Sequence, residues 1–256
     1  MGRTIAVANQ KGGVGKTTTS INLAASLVKT RRRVMLIDMD PQGNATMGSG
    51  VNKKELSCSS YEVLIDNLSI KTTRVRVDAG YDLVPANEEL SGAQVELINV
   101  EGRELRLREA LANVRQEYDY ILIDCPPALN LLTVNALVAA DTVMIPVQCE
   151  YFALEGLAAL QNVIDKISQS PLNPRLKIEG LLRTMFDPRN NLDNEVSAEL
   201  RQHFGEKLYR TIIPRNVRLA EAPSYGKPVI SYDMQSKGAQ AYLALAGEIL
   251  RRDEAA

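Results

Sequence analysis

The chain has 256 residues, of which 45% are hydrophobic and 24% charged, with a formal net charge of −1, so it holds enough apolar material for one substantial core. No apolar run reaches 18 residues, which argues against a membrane span or a signal peptide and for a cytoplasmic protein. Cys58, Cys125 and Cys149 show no C-x-x-C spacing and His203 is the only histidine, so zinc and disulfide readings give way to reduced packing cysteines.

In chain order, "TIAVAN" at 4–9 reads as a strand and is followed by "NQKGGVGKTT" at 9–18. The Walker A pattern G-x-x-x-x-G-K-[ST] uses backbone N–H groups, a lysine and a hydroxyl to hold nucleotide phosphates and Mg²⁺. Here Gly15, Lys16 and Thr17 fit, but Gln10 replaces the first glycine and a second cation, Lys11, follows it. The strand before the loop and the amphipathic stretch after it, 16–30, are the context that a phosphate loop requires. Gly12, Gly13 and Gly15 would let the backbone approach, Lys16 would meet the β/γ-phosphates, and Thr17 would ligate Mg²⁺. Lys11 must lie near phosphate of its own site or of a neighbour's.

"KTRRR" at 29–33 reads first as a helix end whose cations complement the dipole. "VMLID" at 34–38 begins the segment "LIDMDPQGN" at 36–44. In an extended chain residues i and i+2 share a face, so Asp38 and Asp40 emerge together, suited to second-shell Mg²⁺ and water-orienting work. Asp40 before Pro41 also suits a simple turn. Further on, "YDLVPA" at 81–86 is a strand, 103–117 a helix, and "YDYILID" at 118–124 a strand ending in an acid, the Walker B pattern. Asp124 would hold Mg²⁺ through water. Strands at 142–147, 178–186 and 209–214 alternate with helices at 153–168, 194–204 and 237–251. This alternation predicts an α/β fold: a mostly parallel twisted sheet with helices on both faces and ligands at the carboxyl ends of the strands. With no repeat or Gly/Ser linker, 1–256 reads as one domain.

The net charge hides a polarity: residues 1–60 carry +6, 61–170 carry −9 and 171–256 carry +2, so a nucleic-acid surface is neither excluded nor required.

"KGGVGKTT", "DMDPQGNAT", "DCPP", "IPVQCEYFALEGL" at 145–157 and "YRTIIPRNVRLAEAPSYGKPV" at 209–229 together resemble the ParA/Soj partition ATPases, over nearly the whole chain. These belong to the deviant-Walker-A group of P-loop proteins that also holds MinD, and Gln10 is that group's own pattern. The resemblance implies a slow ATPase using ATP and Mg²⁺. It implies an ATP-sandwich homodimer in which Lys11 crosses to the partner's phosphates, with Asp40 orienting the attacking water. The nucleotide contacts would be Lys11, Gly12, Gly13, Val14, Gly15, Lys16, Thr17 and Thr18, with Pro214, Arg215 and Asn216 lining the adenine. Arg189 and Arg218 sit where the pattern places arginines for non-specific double-stranded DNA, although Asp187 and Glu221 offer plain salt-bridge partners. A ParB/Spo0J-type protein would stimulate hydrolysis, and the location would be cytoplasmic and nucleoid-associated. Tyr151, Phe152 and Glu155 would serve the dimer face or core packing.

Three other readings are less well matched. A MinD-like membrane ATPase would need a C-terminal membrane helix, which "AYLALAGEILRRDEAA" does not resemble. An iron–sulfur reductase would need Cys125 or Cys149 at the dimer axis. A ligase of the dethiobiotin-synthetase kind would need a carboxylate-substrate pocket, for which the sequence has no mark. An N-terminal operator-binding segment is not expected, since the phosphate loop starts ten residues in.

Overall fold

The computed structural model describes residues 2–151 and 153–254, and the side chains of 153–156 are left out of account. Eight strands form one sheet: β1 (Arg3–Val7), β2 (Val34–Asp38), β3 (Val75–Arg76), β4 (Asp82–Val84), β5 (Tyr120–Asp124), β6 (Thr142–Gln148), β7 (Lys177–Phe186) and β8 (Leu208–Pro214). Their order is β3-β4-β2-β5-β1-β6-β7-β8. Every pair is parallel except β3 with β4. The mostly parallel sheet expected from the alternation is therefore present. The short antiparallel edge strand was not expected: two residues are too few to show a period in sequence.

The helices are α1 (Lys16–Lys29), α2 (Asn44–Gly48), α3 (Ser60–Ile65), α4 (Ile70–Thr73), α5 (Leu90–Glu96), α6 (Arg106–Ala112), α7 (Leu131–Ala139), α8 (Ala153–Ser168), α9 (Asn191–Phe204), α10 (Val217–Glu221), α11 (Val229–Tyr232) and α12 (Lys237–Glu254). Strand residues alternate between two buried faces. Ala6, Ile37, Ile123 and Val143 join one apolar cluster with Leu64, Leu111, Leu137 and Leu200 from α3, α6, α7 and α9. Ile5, Leu36, Leu122 and Met144 join a second with Leu23 and Leu27 of α1 and Leu245 and Ile249 of α12. A sheet covered on both faces needs apolar residues at consecutive positions, which is why "YILI" reads as a continuous run.

Of the boundaries that differ from the sequence reading, two have a local cause in a side-chain hydrogen bond. The helix expected over 103–117 is shorter, α6, followed by a separate 3₁₀ turn at Arg115–Glu117. Its start is fixed by Asn135, whose side chain accepts from the Leu107 N–H and donates to the Arg103 carbonyl, closing the chain into a turn before the helix. The helix expected over 194–204 begins at Asn191, because the Asn190 side chain accepts the Leu192 N–H as an N-cap.

Candidate functional site

The carboxyl ends of β1, β2 and β5 lie side by side, with Asp38 opposite Asp124 and Val7 opposite Asp124 in the parallel register. This register places all three sequence motifs at the carboxyl ends of adjacent central strands. The loop after β1 turns into α1 through Gly13 and Gly15, with φ of 76° and 86°, a left-handed geometry that side chains disfavour. A Cβ at Gly12 or Gly13 would meet nothing within 4 Å, so the outer face of the loop is open to a ligand at the helix N-terminus. The inner face is pinned: Thr184 of β7 donates its hydroxyl to the Val14 carbonyl at 2.8 Å, and the Asn9 side chain donates to Pro146 and accepts the Lys11 N–H.

Lys16 is buried, and its Nζ donates back to the Lys11 carbonyl at 3.1 Å. Burial lowers its pKa, while Asp124, Cys125 and Asp40 pull the other way. Thr17 and Ser20, one turn apart on α1, donate their hydroxyls to the two oxygens of Asp124, each at 2.8 Å. Thr18 is half-buried and its carbonyl accepts from the Asn22 side chain.

Asp38 is fully buried and accepts from the Thr46 N–H, the Thr46 hydroxyl and the Asp40 N–H. Its carboxyl is nevertheless raised to about 6, because burial outweighs those bonds. Asp124 is raised to about 8 by burial and then by the charge of Asp38. Two carboxyls pushed upward beside a lysine pushed downward mark a buried polar cluster that a divalent cation and phosphate would complete. Asp40 sits above them at 8% exposure, accepting the Gln42 N–H, with the Gly43 N–H closing on its carbonyl. The turn expected of Asp40 is thus present, and it engages one of the two carboxylate oxygens, Oδ1. Gly43 belongs there because φ is +61° and a Cβ would lie 2.7 Å from the Ala86 carbonyl oxygen.

Lys11 does not point into its own loop. Its ammonium pairs with Glu150, beyond the end of β6, and the two side chains are 38% and 44% exposed. Across the sheet, Pro214 ends β8, the Arg215 N–H donates to the Phe186 carbonyl, and Asn216 opens α10. The Asn216 Oδ1 is buried against α12 beside Gly238 without a hydrogen-bond partner.

The outlying residues are less drawn together. Arg189 is exposed and forms a two-pronged pair with Asp187, which holds the Asp187 carboxyl down at about 2. Arg218 pairs with Glu221 and Asp233. Both arginines therefore have the partners that a plain salt-bridge reading requires. Tyr151 is 77% exposed, while Phe152 and the side chain of Glu155 lie outside the described residues. Cys125 and Cys149 are buried, so neither thiol lies at the surface, and burial pushes both thiols up. Sequence reasoning missed Ser20, Thr46 and Glu150. Ser20 lies one helical turn past Lys16, a spacing that could have found it; Thr46 and Glu150 become neighbours only through folding.

Among known proteins, a family model described as an AAA domain matches residues 2–178. The chromosome partitioning protein ParA of Myxococcus xanthus is 54% identical over 254 residues, covering 99% of this chain and 89% of that protein. The sporulation initiation inhibitor protein Soj of Bacillus subtilis is 53% identical over 253 residues, covering 97% and 98%. Among solved structures, cobyrinic acid a,c-diamide synthase of Mycobacterium smegmatis with bound ADP and magnesium has a TM-score of 0.88 at 38% identity, covering 99% and 96% of the two chains.

Proposed function

We propose a function on one premise: this chain belongs to the ParA/Soj family of partition ATPases, and it is an ATPase that uses ATP and Mg²⁺. In our reading it switches between a free state and a DNA-bound homodimer according to the nucleotide it holds. The observation that carries this reading is the placement of Lys11. A lysine that serves its own phosphate loop would lie inward beside Lys16; this one lies at the rim, half exposed, pairing with Glu150. From there it is free to exchange its carboxylate for the phosphates of a second copy.

Bound ATP supplies the phosphoanhydride to be cleaved, and Mg²⁺ supplies charge that offsets its oxygens. The chain's own residues do the rest. The loop N–H groups of 12–18 cradle phosphate, and Lys16 leaves the Lys11 carbonyl to meet β/γ-oxygens. Thr17 and Asp124 would hold Mg²⁺ when it is bound, and Asp38 fixes the Asp40 backbone by accepting its N–H. Asp40 orients the attacking water, and Pro214, Arg215 and Asn216 receive the adenine. Lys11 donated in trans compensates the partner's buried triphosphate, so dimer formation follows ATP and is lost with ADP.

Arg189 and Arg218 would meet DNA phosphates by exchanging Asp187 and Glu221, and dimerisation would double each contact. Contacts to backbone phosphate carry no sequence preference. A ParB/Spo0J-type protein would end the state by stimulating hydrolysis. The described residues contain no helix long and apolar enough to cross a membrane, which fits a cytoplasmic, nucleoid-associated protein.

The test is retention on two unrelated DNA duplexes with ATP, ADP or neither, for wild type, Arg189→Glu and Arg218→Glu, with dimerisation followed by light scattering. ATP-only, sequence-indifferent retention that both variants lose while still dimerising is expected. Variants that dimerise and keep wild-type affinity would remove the arginines from the DNA surface, and equal retention in ADP would overturn the switch.

A further inference from the structure

A second cavity, of about 450 Å³, lies between β7, β8 and α9, outside the nucleotide site. Its floor holds Arg183, whose position on β7 shares a face with Leu181 and so belongs to an apolar layer. The side chain is nevertheless a guanidinium at 2% exposure. Its Nη1 donates to the Ser197 hydroxyl and its Nη2 to the Tyr209 carbonyl, each at 2.8 Å, while the Nε is buried without a partner. Among the described residues no carboxylate forms an ion pair with it, and Glu248 acts on it only as a more distant charge. The other charged residue lining this cavity is a second cation, Arg201 of α9. Burial depresses the Arg183 pKa, and Arg201 depresses it further.

A buried guanidinium without a counter-ion is costly, and a second arginine on the same wall raises that cost. If Arg183 only tied β7 to β8 and α9, a neutral donor would serve at this place. Phe186 of β7 and Ile212, the cross-strand neighbour of Arg183 on β8, give the lining an apolar part. Two guanidinium groups in one cavity with an aromatic and an aliphatic side chain suit an anion that carries a small organic group.

We propose that this cavity binds a small phosphate monoester, its phosphate between Arg183 and Arg201 and its organic part against Phe186 and Ile212. None of these residues lies on the phosphate loop or at the ends of β2 and β5, although the Phe186 carbonyl accepts the Arg215 N–H and so adjoins the residues proposed for the adenine.

The test is calorimetric titration with phenyl phosphate and with inorganic phosphate, in a Lys16→Ala background that keeps phosphate off the loop. Saturable binding of phenyl phosphate, tighter than inorganic phosphate, is expected. Arg201→Ala should weaken it about tenfold or more while leaving the unliganded melting curve in place. Phe186→Leu should weaken phenyl phosphate and spare inorganic phosphate. The same variants are titrated with a DNA duplex, because a backbone phosphate offers the same chemistry. Arg201→Ala that weakens duplex binding, with no saturable binding of phenyl phosphate, would assign the cavity to nucleic acid and overturn the proposal. No binding of either phosphate, or binding unchanged by Arg201→Ala, would also overturn it. Should Arg183→Met fail to fold, the Arg201 and Phe186 variants still decide.

Discussion

The two ends of this sheet both collect charge, and they hold it differently. At the amino ends of the strands a cavity of about 1090 Å³ is lined by Arg3, Arg33, Arg115, Asp119, Asp141 and Asp253. Three of the six lysines and arginines on its wall are matched in pairs, Arg33 with Asp119, Arg115 with Asp141, and Arg3 with Asp253, and the others, Arg32, Arg175 and Lys177, line its open surface. At the carboxyl ends, Asp38 and Asp124 are fully buried, and their carboxyls stand at about 6 and about 8 because hydroxyl and amide donors do not offset desolvation. The charges of the larger hollow are thus paired with one another or left to water, while the buried cluster, which water does not reach, is left in deficit. It is the deficit, rather than the volume, that marks where a charged ligand belongs.

The contrast breaks at once if Lys16 proves dispensable. Lys16→Ala removes the only lysine inside the cluster, and ATP affinity should fall by about 10³–10⁴-fold, the worth of two charge-assisted phosphate bonds. Titration with a fluorescent ATP analogue reads this, and unchanged affinity would move the site elsewhere. Asp40→Ala comes next. Turnover should drop by about 10²–10³-fold with ATP affinity largely kept, because the carboxylate acts on water rather than on phosphate. Equal losses in binding and turnover would make Asp40 a turn-former and nothing more.

The deficit itself predicts a pH dependence. A carboxyl whose folded pKa is raised contributes stability that is complete below its unfolded value, near 4, and is lost as pH rises through the folded value. For Asp38 and Asp124 the window runs from about pH 4 to about 6 and about 8. Nucleotide-free protein should therefore lose up to ~1.4 kcal/mol per pH unit for each carboxyl inside its window. Asp124→Asn should flatten the upper part of that fall in urea unfolding and abolish Mg²⁺-dependent ATP binding. Identical slopes in wild type and Asp124→Asn would show the cluster to be already compensated.

Glu150→Gln sharpens the comparison at the rim. The Lys11–Glu150 pair is partly exposed, and such pairs are worth at most about 1 kcal/mol. Releasing Lys11 should lower the ATP concentration at half-dimerisation by no more than about fivefold, as read by light scattering. A rise instead would mean that Glu150 helps the dimer rather than competing with it.

The sequence revealed the carboxyl end better than the amino end, for a physical reason. Gly15, Lys16, Asp38, Asp40 and Asp124 sit at strand ends and helix starts, where period and turn chemistry fix the direction of a side chain locally. Ser20 and Thr46, which satisfy the two buried carboxylates, look like ordinary helix residues until parallel register brings them to Asp124 and Asp38. Helix α7 escaped because "LLTVNALVA" is apolar nearly all round and offers no stripe. Arg183 lay inside a correctly expected strand, yet its isolation depends on which charges α9 and β8 bring to it. Local pattern locates groups; only the fold shows which of them lack partners.

Arg33→Ala, at the amino end, should have the smallest effect of all. Its guanidinium is 61% exposed and its bond to Asp119 is available to water, while the Arg33 N–H, which also donates to Asp119, survives the substitution. The join between the starts of β2 and β5 is therefore kept by the main chain. An exposed pair gains little over its hydrated partners. ATP affinity, turnover and ATP-dependent dimerisation should each stay within about twofold of wild type. Phosphate placed in the large cavity would have to contact this wall, so the variant is also a direct test of where the nucleotide goes. A loss of ATP binding in Arg33→Ala comparable to that in Lys16→Ala would show that the paired charges at the amino end take part in recognition after all.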